Sequence, residues 1–367
     1  MVKIAYLMHI DWNWAKQRPH FIAEELSAVY DVDLIYIKQV ANSSRYKKQE
    51  VCKKLNIRKL YKLPYSGKLK IIKKVECLLN KKIRSIDFSV YDLIWVTSPI
   101  IFNFIDFKHI NNNSNIIYDC MDDYLEFTEH KKDLSKHKQL EEQLVCKSKM
   151  IITSSSTLKE RLQSRYVEYI RDEEIYVINN AVSQKWLDKK DEYLQIVNRY
   201  SETSKYVIGY VGTISDWFDF DLLMYILSEN KRVEFKLIGP STVKKVLHPR
   251  ITYIGAVSHD SLVTHVRDVD AFIMPFVVNK LIEAVDPVKI YEYIMFDKPI
   301  FCIRYPEAEK FYEYVSLYRD KHEVLGEINK MISGSHEVKE SYEYLRDNTW
   351  IKRFNEIKKV INLAIDE

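Results

Sequence analysis

The stretch IIYDCMDDYLEF (116–127) sets three carboxylates, Asp119, Asp122 and Asp123, directly behind a short apolar run. Four chemistries fit such a cluster. Carboxylates that converge with phosphate oxygens can hold a divalent cation. One carboxylate whose proton affinity is raised by like-charged neighbours can act as a general base. A carboxylate can also cap the next helical turn, or simply face water at a bend. A second set lies in EAVDPVKIYEYIMFDKPIF (283–301). Asp286 and Pro287 have the spacing of a helix N-cap and first helical residue. Lys289 then falls in the first turn and Glu292 one turn later on the same face. A lysine at a helix start suits a diphosphate, and the carboxylate below it suits a ribose diol. An exposed Lys–Glu pair on a surface helix would look the same.

Two further stretches carry groups suited to polar ligands. HIDWNWAKQRPH (9–20) holds Asp11, Trp12, Trp14, Lys16, Arg18 and His20. Aromatic faces and charged forks of this kind can hold a sugar or a phosphorylated acceptor. The alternatives are a buried Trp pair packing the loop, and a His20 that merely starts a helix. GTISDWFDFD (212–221) follows an apolar run, so Gly212 allows close backbone approach to a diphosphate. Asp216 and Trp217 could then touch a donor sugar, or form an ordinary capped turn.

Such groups need a scaffold, and the chain alternates apolar runs with helical patterns. VKIAYLM (2–8), DVDLIYI (31–37), YDLIWVT (91–97), NIIYD (115–119), MIITSS (149–154) and IYVINN (175–180) read as buried strands. After a polar stretch (188–205) come YVIGYVG (206–212), VEFKLIG (233–239), ITYIG (251–255), DAFIMPF (270–276) and KPIFCI (298–303). Strands alternating with helices imply parallel sheets covered on both faces. The expectation is two doubly wound α/β domains, residues 1–187 and 188–348. The amphipathic stretch 349–367, with Trp350, Ile351, Phe354, Ile357, Val360, Ile361 and Ala364, is expected to return to the first domain. A length of 367 residues agrees with two domains rather than one core. Ligands of such sheets bind beyond the carboxyl ends of the strands, so the cleft between the domains is the expected site.

Composition narrows the function classes. Seven glycines argue against a G-x-G-x-x-G dinucleotide-binding loop, and none is present. Five scattered cysteines with no C-x-x-C pair argue against a zinc site or a disulfide framework. The opening MVKIAYLMHIDW lacks the pattern of a secretion signal, and no apolar run reaches the about 20 residues of a spanning helix. A cytoplasmic location, or a peripheral one on the inner face of the membrane, is expected. Charge is uneven. Residues 38–84 carry sixteen Lys or Arg against Glu50 and Glu76, a balance of +14 in a chain whose total is +4. Within it, Leu69, Ile72, Val75, Leu79, Ile83 and Ile86 recur at helical steps among lysines. A basic amphipathic helix over 66–86 suits an anionic membrane surface, and a core-facing stripe with a solvated lysine face is the plain alternative. No nucleic-acid module is present.

Pro287, Lys289, Glu292, Tyr293, Lys298 and Pro299 resemble the donor-site helix of GT-B glycosyltransferases, P-x-K-x-x-E-Y followed by a Lys-Pro step into a strand. KQRPHFIAEEL (16–26), VINNAV (177–182), IGYVGTISDWFDFDLL (208–223), FKLIGP (235–240) and ITYIGAV (251–257) look like bacterial surface-polysaccharide transferases of that fold. The chain resembles the teichuronic-acid and capsule types, and more distantly the xanthan glucuronosyltransferase type. The resemblance implies a GT-B fold, two Rossmann-like domains facing a cleft. It implies a nucleotide-diphosphate sugar, UDP type, as co-substrate, with no further cofactor and no metal. Asp122 matches the general base of the xanthan-type family, and Lys289 matches the residue that holds the donor phosphates. Gly212, Asp216, Asn279, Glu283, Lys289 and Glu292 are the expected donor-binding residues; Asp11, Trp14, Arg18 and His20 are the expected acceptor-binding residues. Retaining members carry E-x7-E before this helix. Here the first position is Ala284, with Glu283 one place away, a departure from the retaining pattern; the base candidate Asp122 matches an inverting relative, so the resemblance favours inversion. The expected partners are a nucleotide sugar, a lipid-linked or glycan acceptor, and an anionic membrane through 38–84, with no nucleic acid. A nucleotide-sugar epimerase of the same fold, or a non-catalytic basic protein binding membrane or nucleic acid, are the alternatives.

Overall fold

The computed structural model describes residues 1–14, 16–40, 55–105, 110, 114–127, 130–197 and 205–366. Part of the basic segment (41–54) and part of the polar stretch after the first domain (198–204) therefore lie outside the described residues. The chain forms two units, Met1–Asn179 with Trp350–Glu367, and Asn180–Thr349.

The first unit holds seven parallel strands: β1 (Lys3–Met8), β2 (Asp31–Gln39), β3 (Asn56–Lys62), β4 (Leu93–Val96), β5 (Ile116–Cys120), β6 (Met150–Thr153) and β7 (Ile175–Val177), in the order β3-β2-β1-β4-β5-β6-β7. The order reverses between β1 and β4, which makes their carboxyl ends the switch point where doubly wound sheets bind ligands. The central strands are apolar on both faces, as helices on both sides of a parallel sheet require; Ile4, Leu7, Leu93 and Val96 are all fully buried. The C-terminal helix Trp350–Asp366 packs within this unit against the helix Arg18–Val29, with the Trp350 and Phe21 rings stacked at 5.1 Å.

The second unit holds six parallel strands: β8 (Tyr206–Val211), β9 (Val233–Ile238), β10 (Ile251–Gly255), β11 (Ala271–Met274), β12 (Ile300–Ile303) and β13 (Ser316–Tyr318). Their order, β10-β9-β8-β11-β12-β13, reverses between β8 and β11. Trp186 and Leu187, assigned above to the first domain, pack with Val182 in the core of this unit, so the boundary falls at Asn180 and not at 188. The chain enters and leaves the unit side by side, through a parallel bridge between Val182 and Thr349.

The basic segment departs from the expected single helix. It breaks into Lys70–Leu79 and Lys81–Arg84 at Asn80, whose side-chain amide bonds both the N–H and the carbonyl of Tyr61. The face turned inward is polar: Glu76 is 1% exposed and accepts from the Leu63 amide and from Lys73. The face turned outward is apolar: Ile71 is 78% and Leu78 71% exposed, with Leu69, Val75 and Leu79 also in water. A core-facing apolar stripe is therefore not what holds this helix. Among the described residues, no helix is long and apolar enough to cross a membrane.

Candidate functional site

The three aspartates after β5 separate into different environments. Asp119 is fully buried and faces Arg18, whose Nε donates to its Oδ1 at 2.9 Å. The same guanidinium donates through Nη1 to the Ile178 carbonyl at 2.7 Å, tying the start of a helix to β5 and to the end of β7. Arg18 is 1% exposed, so it serves the interior and does not reach an acceptor from solvent, contrary to its expected role. Asp123 is equally buried, with Arg165 at 2.8 Å and Arg161 at 3.4 Å. It precedes a short 3₁₀ turn but makes no side-chain cap; the two arginines hold its carboxylate instead. Arg165 and Tyr166 also hold the buried Glu141, each at 2.8 Å. Asp122 alone is half-buried, and among the described residues its backbone carbonyl accepts from the Cys120 thiol while desolvation and nearby charges, not hydrogen bonds, act on its carboxylate. Burial pushes it up to about 6, with Asp123 adding to the effect and Arg18 opposing it. Among the described residues, no three His, Cys, Asp or Glu side chains are placed to hold a metal ion together.

The loop after β1 is built around Trp12, which is buried against His20 with ring centroids 5.2 Å apart. His20 is fully buried, with Nε2 3.1 Å from the Trp12 carbonyl. Burial lowers its pKa to about 4, so it is neutral, and it closes the first turn of its helix instead of meeting an acceptor. Asp11 accepts from the Asn13 amide at 3.0 Å and remains half-buried, as does Trp14. Of the expected acceptor residues, these two retain access to solvent. The sequence reading missed His9. Its Nδ1 lies 2.7 Å from the Thr97 hydroxyl, joining the ends of β1 and β4 at the switch point. Its position directly after an apolar strand was the available signal.

In the second unit the loops after β8 and β11 are stitched together at the switch point. The Asp219 amide donates to the Pro275 carbonyl and the Val277 amide to the Trp217 carbonyl, each at 2.8 Å. These loops carry Gly212 and Asp216 on one side and Asn279 and Glu283 on the other. A Cβ added at Gly239 would lie 1.9 Å from the Gly212 carbonyl oxygen, at a φ of +147°. Side chains are thus excluded where β8 and β9 end. Asp216 is exposed beside Ser215. Asn279 uses its side chain to cap the turn Lys280–Glu283 through the Ile282 amide. Glu283 is half-buried.

The helix that follows β11 spans Val288–Ile294. Asp286 is not its cap: Pro287 holds that position at φ −78° and ψ 86°, with no side-chain cap. The Asp286 carboxylate instead receives the Asn180 amide and pairs with Lys310 at 2.6 Å. Tyr293 locks the helix to β8, its hydroxyl accepting from the Val211 amide at 2.7 Å and its ring stacked on Phe272 at 4.3 Å. That lock sets Lys289 and Glu292. The Lys289 ammonium lies 2.7 Å from Glu292 Oε2, and His259 Nε2 lies 3.3 Å from Oε1. Burial alone would raise the pKa of Glu292; Lys289 and His259 outweigh it and carry it down to about 2. His259 was also absent from the sequence reading, being far from Glu292 along the chain.

No protein family and no curated protein matches the chain by sequence. Solved structures match over its full length. Sucrose-phosphate synthase from Thermosynechococcus elongatus is 13% identical, with a TM-score of 0.71 and all of both chains covered. HepE of Anabaena, in complex with UDP and glucose, is 13% identical with a TM-score of 0.66, covering 99% of this chain and 100% of its own. The UDP-forming α,α-trehalose-phosphate synthase from Burkholderia xenovorans, in complex with glucose-6-phosphate, is 9% identical with a TM-score of 0.64, covering 98% of this chain and 99% of its own. The chain has the fold of these GT-B glycosyltransferases, with parallel sheets of seven and six strands.

Proposed function

We propose that the chain is a glycosyltransferase that moves a sugar from a nucleotide-diphosphate donor, UDP type, to a lipid-linked or glycan acceptor in the synthesis of a bacterial surface polysaccharide. The observation that carries this reading is the Lys289–Glu292 pair beside the switch point of the second unit. It unites a mobile cation suited to a diphosphate with a carboxylate suited to ribose hydroxyls. The UDP-bound neighbour of the same fold supports the donor class.

In this reading Asp122 is the general base. Its raised pKa, about 6, matches a group that takes a proton near neutrality. The acceptor oxygen attacks the anomeric carbon as its proton passes to Asp122. The bond from that carbon to the donor phosphate oxygen breaks, and its electron pair leaves with the diphosphate. Lys289 neutralises the charge that develops there. A single displacement of this kind inverts the anomeric centre and needs no metal. Gly212, Asp216, Asn279 and Glu283 complete the donor side, and Asp11 and Trp14 the acceptor side.

A peripheral place on the inner face of the membrane belongs to the same reading. The helix Lys70–Leu79 turns Ile71, Val75 and Leu78 outward beside Lys70, Lys74, Lys81 and Lys82, which suits an anionic lipid surface. The test of the transferase reading is release of nucleoside diphosphate from UDP-sugars with and without glycan or lipid-linked acceptors. Release that rises with acceptor supports it. Interconversion of the donor sugar without any acceptor would establish the epimerase instead.

A further inference from the structure

Glu292 is 3% exposed, and both of its oxygens already have cationic or hydrogen-bonding neighbours. The two neighbours differ in freedom. Lys289 reaches Oε2 by a flexible four-carbon stem and is 19% exposed at its side chain. His259 is 10% exposed at its side chain and lies flat on Trp186, ring centroids 4.2 Å apart and planes 29° apart. Trp186 is itself 1% exposed, wedged edge-on against Tyr193 and Phe296 at 5.8 Å and 6.0 Å. The imidazole is therefore fixed by packing, whereas among the described residues the ammonium is held by its ion pair.

This difference matters once a diphosphate draws Lys289 away. A buried carboxylate left without a partner is costly, and it would turn toward whatever donor remained. His259 remains. Because the acceptor is a carboxylate, Nε2 must carry the hydrogen that lies on Oε1. With Oε1 pinned by the imidazole, Oε2 is the oxygen that becomes available to a ligand hydroxyl.

We propose that His259, seated on Trp186, is a positioning residue that holds Glu292 for the ribose hydroxyls of the donor while Lys289 serves the diphosphate. The inference rests on the donor reading of Lys289 and Glu292. It divides the work between two residues that both touch one carboxylate, and so makes them separable.

The experiment is calorimetric binding of UDP and of its 2′,3′-dideoxy analogue to the full chain. The wild-type protein should bind UDP about tenfold or more tightly than the analogue, the scale of a hydrogen bond to a charged group. Lys289→Ala should weaken both nucleotides together and keep their ratio. His259→Phe, which keeps a ring on Trp186 but removes the donor, should bring the ratio close to one by weakening UDP alone. His259→Gln, which keeps a donor and loses the ring, should restore part of the ratio. Melting temperatures identify any variant that fails to fold, and the Phe and Gln forms fail for different reasons. A wild-type ratio that survives in His259→Phe overturns the role of His259 and leaves the donor reading standing. A wild-type protein that binds UDP without discriminating the analogue also overturns it, by removing Glu292 from the ribose. No binding of either nucleotide overturns the donor reading and this inference with it.

Discussion

Asp119 and Glu292 are both acidic residues beside the binding edge of a doubly wound sheet, and both are paired with a cation. Asp119 faces an arginine that is 1% exposed and is also bonded to a backbone carbonyl. Glu292 faces a lysine whose side chain is 19% exposed. The planar guanidinium can satisfy several buried acceptors at once and so becomes part of the framework. The ammonium is a point charge on a flexible stem, reachable from water, and can exchange one anion for another. Burial and identity of the cation therefore separate a structural ion pair from one able to respond to a ligand.

That contrast can be broken by mutation. Arg18→Ala leaves Asp119 charged and buried, and it should lower stability by about 3–5 kcal/mol. Chemical denaturation would measure this, and an unchanged midpoint would show that Asp119 finds another partner. Asp122→Asn should lower turnover by about 100-fold or more without lowering the melting temperature near neutral pH, since it removes a charge that burial disfavours. Asp123→Asn and Asp119→Asn should do the reverse, since their carboxylates hold arginines. Near-normal turnover in folded Asp122→Asn would remove it from the chemistry. Lys289→Ala should weaken UDP binding by about tenfold, the scale of one charge-assisted contact, and should also lower stability, because it takes a cation from the buried Glu292. Unchanged affinity would place the diphosphate elsewhere.

The pH dependence sharpens the same comparison. Asp122 must be deprotonated to act, so kcat/KM should rise with pH through an acidic limb near 6, the value to which burial raises it. Because its folded pKa lies above the unfolded value of about 3.9, the folded state binds the extra proton in that window. Stability should therefore fall as pH rises between those values. Glu292 has the opposite sign: its stabilising contribution is present above about 4.3 and is lost as pH falls toward about 2. The smallest effect per residue is expected in the basic helix. Each of Lys70, Lys74 and Lys82 changed to Glu should reduce binding to anionic vesicles by on the order of 1 kcal/mol or more, and the loss should shrink with added salt. A protein that ignores such vesicles at low ionic strength has no membrane surface there.

The doubly wound sheets were legible because buried parallel strands are unbroken apolar runs between helical patterns. Two strands escaped that signal. In β3 only Leu60 is buried, because an edge strand rich in Lys and Arg faces water. β13 is three residues long. The expected cap at Asp286 followed a correct local rule, but Asn180 and Lys310 draw that carboxylate elsewhere. The periodicity of 66–86 likewise marked an amphipathic stretch without showing which face turns inward. Glu76 and Asn80 decide that through bonds to the neighbouring strand and its turn.

Local order along the chain was thus enough to set the alternation of strands and helices, the charge asymmetry, the position of Asp122 just after a strand, and the position of Lys289 and Glu292 on one short helix. These features depend on backbone propensity, hydrophobic periodicity and spacing, which are properties of neighbours in sequence. Tertiary structure alone decided which aspartate lacks an ion pair among the described residues, that Arg18 and His20 turn inward, and that His259 meets Glu292. Those outcomes depend on partners far along the chain, Arg18 with Asp119 and His259 with Glu292. With both carboxylates buried, the exposure and identity of the partnering cation decide whether such a group is a fixed member of the framework or one able to meet a ligand.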